Sequence, residues 1–346
     1  MTLVDLAVLG RWMDEQGLPG GDIEDATELT GGTQNVLIRF RRGGTTYVLR
    51  RPPLHLRPRS NDNLRREARV LGALTGSGVA APALLAACPD ETVMGGAAFL
   101  LMENVVGFNP GGGMPELHAQ DPAVRREMGL NAVTGLAELG AIDHDAVGLS
   151  DFGRPEGFLE RQVPRWLKEL DSYSALDGYG DPDLPGIRRI TDWLDAERPG
   201  SFRPGIMHGD FHLANLLFSY DGPGLAAIVD WEMATIGDPL LDLGWFVATW
   251  PTGPADPVNM MAPDFAKEGQ LAGYAELVER YAASSTRDLS AIQWYAVLAC
   301  FKLGIVLEGS YARACAGKFD PGLGDLFHGV AVALMDRAEM FIDEGV

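Results

Sequence analysis

The central motif of this chain is MHGDFHLANLLFSYDGPGLAAIVDWE, which occupies residues 207–232. Two short runs, at 216–219 and 225–229, flank a turn rich in Gly, Pro and Asp, which predicts a β-hairpin. In simple antiparallel pairing, Asn215 and Asp230 would face each other with Cβ atoms about 5 Å apart. Amide and carboxylate oxygens at that separation suit Mg²⁺, which keeps waters and substrate phosphates as its other ligands.

Asp210 lies upstream of Asn215 in the same segment and would be a second carboxylate nearby. It could accept a proton from an attacking hydroxyl group. A different chemistry has to be weighed, because His208, Asp210 and His212 alternate along the chain. In an extended segment these three side chains could point one way and bind Zn²⁺ for hydrolysis. That hypothesis gives Asn215 and Asp230 no role.

The composition predicts a globular protein of one or two domains. The chain has 346 residues, of which 46% are hydrophobic and 22% charged, and its net charge is −20. Such a charge argues against nucleic-acid binding and against anionic membranes. The apolar run at 295–307 is too short to cross a bilayer and predicts a buried helix, so we expect no membrane insertion. Three scattered cysteines and the lack of a basic leader at the N-terminus favour the cytoplasm.

A basic segment stands out in this acidic chain. Residues 39–69 contain ten arginines and two acidic residues, which predicts a site for an anion such as phosphate. The chain has four lysines, and none of them lies within the first 167 residues. Any phosphate-binding cation near the N-terminus must therefore be an arginine.

The hydrophobic pattern changes along the chain. Strands are predicted at 29–40 and 45–50 around Gly43-Gly44, and a further strand at 97–102, with a helix at 63–75. The glycine-rich segment 107–113 predicts a loop between two lobes, and helical patterns dominate beyond it. This arrangement predicts an α+β protein.

The central motif also resembles a known family. HGDFHLAN (208–215) followed by IVDWE (228–232) is similar to the catalytic loop and metal-binding segment of the aminoglycoside phosphotransferase-like kinases, relatives of choline kinases and protein kinases. Four other segments are most similar to the branch related to acyl-CoA-dehydrogenase-associated kinase domains. They are YVLRRPP (47–53), RREARVL (65–71), LLMENVVG (100–107) and GDPLLDLGW (237–245). The resemblance implies a bilobal protein kinase-like fold. Its small N-terminal nucleotide-binding lobe (1–105) would have an antiparallel sheet plus a helix, and its larger C-terminal lobe (106–346) would be mainly helical.

The resemblance implies roles for individual residues. Asp210 matches the catalytic aspartate, and Asn215 and Asp230 match the Mg²⁺ ligands. Arg50 stands where these kinases have a phosphate-binding lysine, and Glu67 matches the glutamate that pairs with it. Strand alternation puts Arg50 on the face opposite to Leu49 and Arg51, and Arg51 is expected to be a solvated charge.

Further residues are implied in supporting positions. The loop over the nucleotide phosphates would include Gly31, Gly32 and Thr33, and backbone groups of Glu103 and Val105 would bind adenine. Asp242 resembles the aspartate that braces the backbone of the catalytic loop, and His208 is expected to orient that loop rather than to transfer protons.

The predicted function is ATP- and Mg²⁺-dependent phosphorylation of a hydroxyl group on a small molecule. The chain has no activation-loop signature after Asp230, which argues against protein substrates. The helical lobe after Asp242 and the loop at 250–264 are expected to shape the acceptor pocket. Acidic residues there, such as Asp256, Asp264 and Glu308, could suit an aminoglycoside-like or amino-alcohol acceptor, whereas the related branch implies a hydroxyacyl or other lipid-derived alcohol. A catalytically silent nucleotide-binding pseudokinase is the alternative, and its support is the arginine at position 50.

Overall fold

The computed structural model describes residues 4–29, 35–53, 55–180, 184–259, 262, 264–267 and 270–346. The chain forms two compact units, Met1–Gly107 with Ala226–Ala234 and Phe108–Leu225 with Thr235–Val346. The predicted division after residue 105 lies two residues before the observed one. Residues 226–234, which the sequence assigned to the second domain, belong to the first unit, where Ile228 N–H donates to Ala80 O (2.7 Å).

The first unit is built around a five-stranded antiparallel sheet in the order β1-β2-β3-β5-β4. Its elements are α1 (Leu6–Glu15), β1 (Glu24–Glu28), β2 (Val36–Arg42), β3 (Thr45–Arg51), α2 (Ser60–Leu74), β4 (Leu84–Cys88) and β5 (Phe99–Glu103). The sequence predicted β2, β3, β5 and α2 but neither β1 nor β4. All five residues of β1 are exposed, so this strand lacks the alternating pattern from which strands are predicted.

The hairpin between β2 and β3 depends on its glycine pair. Gly43 and Gly44 both have positive φ, 56° and 81°, as a two-residue hairpin turn requires. A Cβ atom on Gly43 would lie 2.6 Å from the Cβ of Pro19. The turn sets the register that places Arg50 of β3 opposite Leu37 and Leu100, in the middle of the sheet.

The second unit is mainly helical. Its elements are α3 (Glu116–Gln120), α4 (Pro122–Ala141), α5 (Gln162–Ser172), α6 (Ile187–Ala196), β6 (Gly205–Met207), β7 (Leu216–Phe218), β8 (Leu225–Ile228, which continues into the first unit), β9 (Thr235–Gly237), α7 (Leu240–Thr249), α8 (Tyr274–Ser284), α9 (Ile292–Cys315) and α10 (Pro321–Glu344). Strands β7 and β8 are those predicted at 216–219 and 225–229. Ser219 N–H donates to Gly224 O (2.9 Å) and closes the turn between them.

Helix α9 forms the centre of the second unit and packs against α7 and α10. Its buried side chains lie on all sides of the helix, as expected of a helix enclosed by others. Among the described residues, α9 alone is long and apolar enough to cross a membrane, by length and composition only, and 72% of its apolar window is buried inside the protein. The run at 295–307 is thus a buried helix, as predicted.

Candidate functional site

A single buried carboxylate holds the start of the loop 208–215. His208 N–H donates to Asp242 Oδ2 (2.6 Å) and Gly209 N–H donates to Asp242 Oδ1 (2.9 Å). Asp242 lies in the first turn of α7 and is 1% exposed. Burial raises the pKa of Asp242 to about 7, and the two backbone hydrogen bonds oppose that shift. The aspartate therefore fixes the loop backbone, which is the arrangement that the resemblance implied.

This raised pKa predicts a pH dependence of stability. The ordinary pKa of an aspartate is about 3.9, so between that pH and about 7 the folded protein keeps a proton on Asp242 that the unfolded chain has lost. Asp242 thus makes the free energy of unfolding decrease as pH rises through this window, by up to ~1.4 kcal/mol per pH unit. Urea unfolding of the wild type and of Asp242→Asn between pH about 4.5 and about 7 measures this contribution. We expect the variant to be least stable relative to wild type at the acid end, and a pH-independent difference would contradict the assignment.

Asp210 lies in the same loop with two side-chain neighbours. Its Oδ2 is 3.3 Å from His212 Nε2 and accepts a hydrogen bond from Asn215 Nδ2 (3.1 Å), which also donates to Asp210 O (2.9 Å). Burial raises the pKa of Asp210, but the hydrogen bond and charge of His212 outweigh it, so the pKa lies below the usual value. The side chain is 35% exposed. Asp210 is therefore an ionised carboxylate that a ligand can reach.

The loop is stiffened from two further sides. His208 is fully buried, and its Nδ1 accepts a hydrogen bond from Asp210 N–H (3.3 Å), so its imidazole orients the loop. Asn109 donates to Ala214 O (2.6 Å) and to Leu216 O (3.1 Å). The sequence did not single out Asn109, although it lies in the glycine-rich segment 107–113. An asparagine in such a segment often hydrogen-bonds nearby backbone groups, and this was the signal that could have found it.

The zinc hypothesis is not supported by this geometry. His208 turns its Nδ1 to the backbone of Asp210, whereas His212 contacts the Asp210 carboxylate, so the three side chains do not converge on one point. Across the described ranges, no group of three or more His, Cys, Asp or Glu side chains could hold a metal ion.

In the first unit, three carboxylates surround Arg50. Its Nε is 2.8 Å from Glu67 Oε2, and its Nη2 is 2.6 Å from Asp230 Oδ1 and 3.7 Å from Glu232 Oε2. Asn35 Nδ2 in turn donates to Glu232 Oε2 (3.2 Å). The ion pair between Arg50 and Glu67 is therefore present as predicted. Glu232 was missed, and its position two residues after Asp230 is the signal that could have found it.

Burial controls the electrostatics of this cluster. Arg50 is 6% exposed, and burial lowers its pKa, but its three acidic neighbours raise the pKa above the ordinary value. Burial raises the pKa of Glu67 to about 7, against the effect of Arg50. The prediction that Arg51 is a solvated charge was wrong. Arg51 is buried, and its Nε donates to Pro52 O (3.1 Å). Strand β3 continues to Arg51, and all five residues at 47–51 are buried.

Asp230 adopts a backbone conformation that few residues other than glycine tolerate, with φ 67° and ψ 65°. Its side chain is 40% exposed and already attracts a cation, the Arg50 guanidinium. Asn215 turns its amide nitrogen toward Asp210, which directs its amide oxygen away. A carboxylate and an amide oxygen are donors that fit Mg²⁺.

The remaining predicted nucleotide contacts are described only in part. Gly31, Gly32 and Thr33 lie outside the described residues. Glu103 ends β5, and its N–H donates to Ala83 O (2.9 Å), so a contact of its backbone with a ligand would use the carbonyl group. Val105 follows in the half-buried segment after the strand.

A cavity of about 230 Å³ in the second unit opens beside Asp210. Apart from Asp210, His212, Thr249 and Asn259 its described lining is apolar: Leu213, Trp245, Val258, Ala262, Leu303, Val306, Leu307 and Val330. Three of the twelve described lining residues, Val258, Asn259 and Ala262, come from the segment 250–264, which the sequence indicated as part of the acceptor pocket.

The acidic residues considered for an amine-bearing acceptor lie elsewhere. Glu308 is fully buried, and it accepts from Tyr179 Oη (2.7 Å) and contacts His328 Nδ1 (2.7 Å). Asp256 Oδ2 lies 2.5 Å from Nη2 of the buried Arg337. Both carboxylates thus already have polar partners within the fold, as buried carboxylates require.

Lys302 is a further residue that the sequence did not connect with the site. Its Nζ lies 4.3 Å from the centre of the Trp245 ring and 5.6 Å from that of Trp166. Burial lowers the pKa of Lys302, while the charges of Asp210 and Asp242 raise it. The position of Lys302 as a single charge within the apolar helical run 295–307 could have indicated a functional residue.

Comparison with known proteins agrees with this geometry. A model of the phosphotransferase enzyme family, APH, matches residues 25–283. A solved protein from Ralstonia eutropha assigned to the aminoglycoside phosphotransferases is 26% identical, with a TM-score of 0.74 over 97% of this chain and 99% of that one. Two others are similar in fold alone. A mutant aminoglycoside phosphotransferase APH(4)-Ia, solved with ADP and hygromycin B, is 16% identical (TM-score 0.58, 95% and 97% covered). The Plasmodium vivax ethanolamine kinase is 12% identical (TM-score 0.59, 94% and 83% covered).

Curated relatives come from a second group. Acyl-CoA dehydrogenase family member 11 of Gallus gallus is 28% identical over 84% of this chain and 37% of its own length. Acyl-CoA dehydrogenase family member 10 of Mus musculus is 28% identical over 83% of this chain and 26% of its own length. The chain thus spans about a quarter to two fifths of these relatives. The resemblance to both groups, and the α+β kinase-like fold, are confirmed.

Proposed function

The chain belongs to the phosphotransferase enzyme family, a family of small-molecule kinases, and on that premise we propose that it transfers the γ-phosphoryl group of ATP, with Mg²⁺, to a hydroxyl group of a small molecule. The observation that carries the proposal is the loop 208–215, in which Asp242 fixes the backbone and Asn215 fixes an ionised, accessible Asp210. These contacts position a carboxylate without occupying it fully.

Asp210 would orient the acceptor hydroxyl and take its proton. A carboxylate whose pKa lies below the usual value is a weak base. Most of its contribution would therefore come from alignment of the hydroxyl oxygen with the phosphorus atom, and the proton would transfer late in the reaction. His212 beside Asp210 stabilises the ionised form and keeps it ready to accept a hydrogen bond.

The phosphate groups would be held by a metal ion and by an arginine. Asn215 and Asp230 would hold Mg²⁺, which supplies charge neutralisation on the β- and γ-phosphates when bound. Arg50 would contact the α- and β-phosphates through its planar guanidinium, which suits phosphate oxygens. Glu67 would keep Arg50 in place from the other side.

For the acceptor, we propose an alcohol attached to an apolar chain, such as a hydroxyacyl compound or another lipid-derived alcohol. The apolar cavity beside Asp210 supports this choice, because it offers few partners for the many amino and hydroxyl groups of an aminoglycoside. The acidic side chains Glu308 and Asp256, already paired inside the fold, offer an amine no counterion.

The proposal is tested by ATP consumption with purified protein. Panels of hydroxyacyl compounds, including hydroxyacyl-CoAs, of amino alcohols, of sugars and of aminoglycosides are compared at equal concentration. We expect turnover to depend on an apolar hydroxyl compound. Binding of Mg·ATP without turnover of any acceptor would favour the pseudokinase alternative.

The cavity itself can be tested with one of its lining residues. Leu307 is 7% exposed and lines the cavity. Leu307→Gln would place an amide among apolar side chains, and we expect it to raise the KM for an apolar alcohol about tenfold while the affinity for nucleotide stays unchanged. Leu326→Gln, at an exposed position of α10, is the matched control. Equal KM values in both variants would exclude the cavity as the acceptor site.

We also propose that the protein acts in the cytoplasm, without nucleic-acid or membrane partners. Its cysteines Cys88, Cys300 and Cys315 are free thiols, as a reducing compartment allows. The net charge of −20 supports the absence of nucleic-acid partners.

A further inference from the structure

Arg50 has two tasks that compete with each other. In the structure its Nη2 lies 2.6 Å from Asp230 Oδ1, an oxygen of the carboxylate proposed as a metal ligand. In the proposed reaction the same guanidinium contacts nucleotide phosphates. The side chain is almost fully buried and anchored by Glu67, so it has little room to make both contacts at full strength.

We propose that Arg50 is the resident counterion of Asp230, which blocks metal binding until a nucleotide draws the guanidinium away. This inference rests on the proposed function. It means that nucleotide and divalent metal bind with positive coupling that is built into the protein, in addition to the affinity of the nucleotide for the metal. Arg50 thereby acts as a positioning residue that prevents a metal ion from occupying Asp230 unproductively.

The geometry of the guanidinium supports the exchange. Nε faces Glu67 and Nη2 faces Asp230 and Glu232, so one planar group bridges three carboxylates. The Arg50 Nε–H makes an ion contact with Glu67 but no well-aligned hydrogen bond within the described residues. The group is thus held mainly by charge, and a phosphate could redirect it without breaking an aligned bond at Nε.

Charge explains why the effect on metal binding should be large. A divalent cation approaching Asp230 would meet the positive guanidinium in direct contact with that carboxylate, in a partly buried setting where water screens poorly. If Arg50 is neutralised, the Asp230 carboxylate loses the cation that lies 2.6 Å from it and attracts another cation more strongly. Loss of this arginine should therefore strengthen metal binding and weaken nucleotide binding at the same time.

The test measures binding of Mn²⁺, as a spectroscopic substitute for Mg²⁺, by electron paramagnetic resonance in the absence of nucleotide. Arg50→Gln is compared with wild type and with Arg51→Gln, which removes the same charge from the adjacent buried position. We expect Arg50→Gln to bind Mn²⁺ about tenfold more tightly than wild type, and Arg51→Gln to match wild type. Calorimetry should show weaker binding of ADP to Arg50→Gln and unchanged binding of adenosine.

Arg50→Gln leaves the buried Glu67 without its counterion and could impair folding. The double variant Arg50→Gln/Glu67→Gln removes both buried charges together, and it should show the same gain in Mn²⁺ affinity. Equal or weaker Mn²⁺ binding in a folded Arg50→Gln or double variant would overturn the inference, as would an equal gain in Arg51→Gln. Failure of the proposed function has a different signature, namely wild-type protein that binds no Mg·ATP, or that binds Mg·ATP and turns over no acceptor.

Discussion

Asp210→Asn is expected to lower the rate of phosphoryl transfer by about 10²- to 10⁴-fold, the range typical of a lost acid–base residue. An asparagine keeps the shape of the side chain and can still bond to Asn215 and His212, so the loop should keep its conformation. It cannot take a proton from the acceptor hydroxyl and lacks the charge that orients it. Nucleotide affinity should therefore stay within about twofold of wild type. Steady-state kinetics on an identified acceptor, together with calorimetry of Mg·ATP, measures both quantities.

A matched control is Asp221→Asn, which changes an exposed aspartate in the turn after β7. It should leave both rate and affinity unchanged. Wild-type turnover by Asp210→Asn would show that another group accepts the proton. A comparable loss in the Asp221 variant would show that the rate reports on the conformation of the segment and not on the chemistry of one carboxylate.

Much of the fold could be predicted because its signals are local. The Gly43-Gly44 turn is recognisable from the few residues around it. The long apolar helices are likewise recognisable from the hydrophobic pattern of their own residues. The assignment of residues 226–234 to the first unit could not be predicted in this way. It depends on contacts such as Ile228 N–H to Ala80 O, between residues far apart in the sequence, and no local pattern encodes them.

The features of the candidate site differ in the same way: some could be predicted from sequence patterns, and others depend on contacts between residues distant in the sequence. The absence of lysines from the first 167 residues left ten arginines between residues 39 and 69 as phosphate-binding candidates, and the resemblance selected Arg50 and paired it with Glu67. The sequence indicated that the segment 250–264 contributes to a pocket, but it did not indicate the apolar lining of the cavity beside Asp210, since that lining comes from segments scattered between residues 210 and 330. For the same reason Glu308 was misread: its acidity is visible in the sequence, but its partners Tyr179 and His328 are not.

The second large effect is expected at the metal ligand. Asp230→Asn should weaken the binding of nucleotide in the presence of Mg²⁺ by about 100-fold, at the upper end of what changes around metal sites cost even when the ligands themselves are kept. Asparagine is among the few residues that accept the positive φ of this position, so the backbone should stay in place. The loss can then be assigned to the charge. Binding of nucleotide without metal should change little or improve, because Arg50 is released from its contact with Asp230 and becomes available to phosphate.

Calorimetry of ADP with and without Mg²⁺ separates these effects, and Asp22→Asn, at an exposed position of the first unit, is the control. The expected effects on metal and nucleotide binding are opposite to those of Arg50→Gln. Loss of the carboxylate abolishes the advantage that Mg²⁺ confers on the nucleotide, whereas loss of the arginine strengthens metal binding and weakens the nucleotide. If Asp230→Asn kept the full Mg²⁺ dependence of ADP binding, the metal would have to be held by other residues. The contact between Arg50 and Asp230 would then be a structural ion pair alone, because the carboxylate would have no second cation to exchange with.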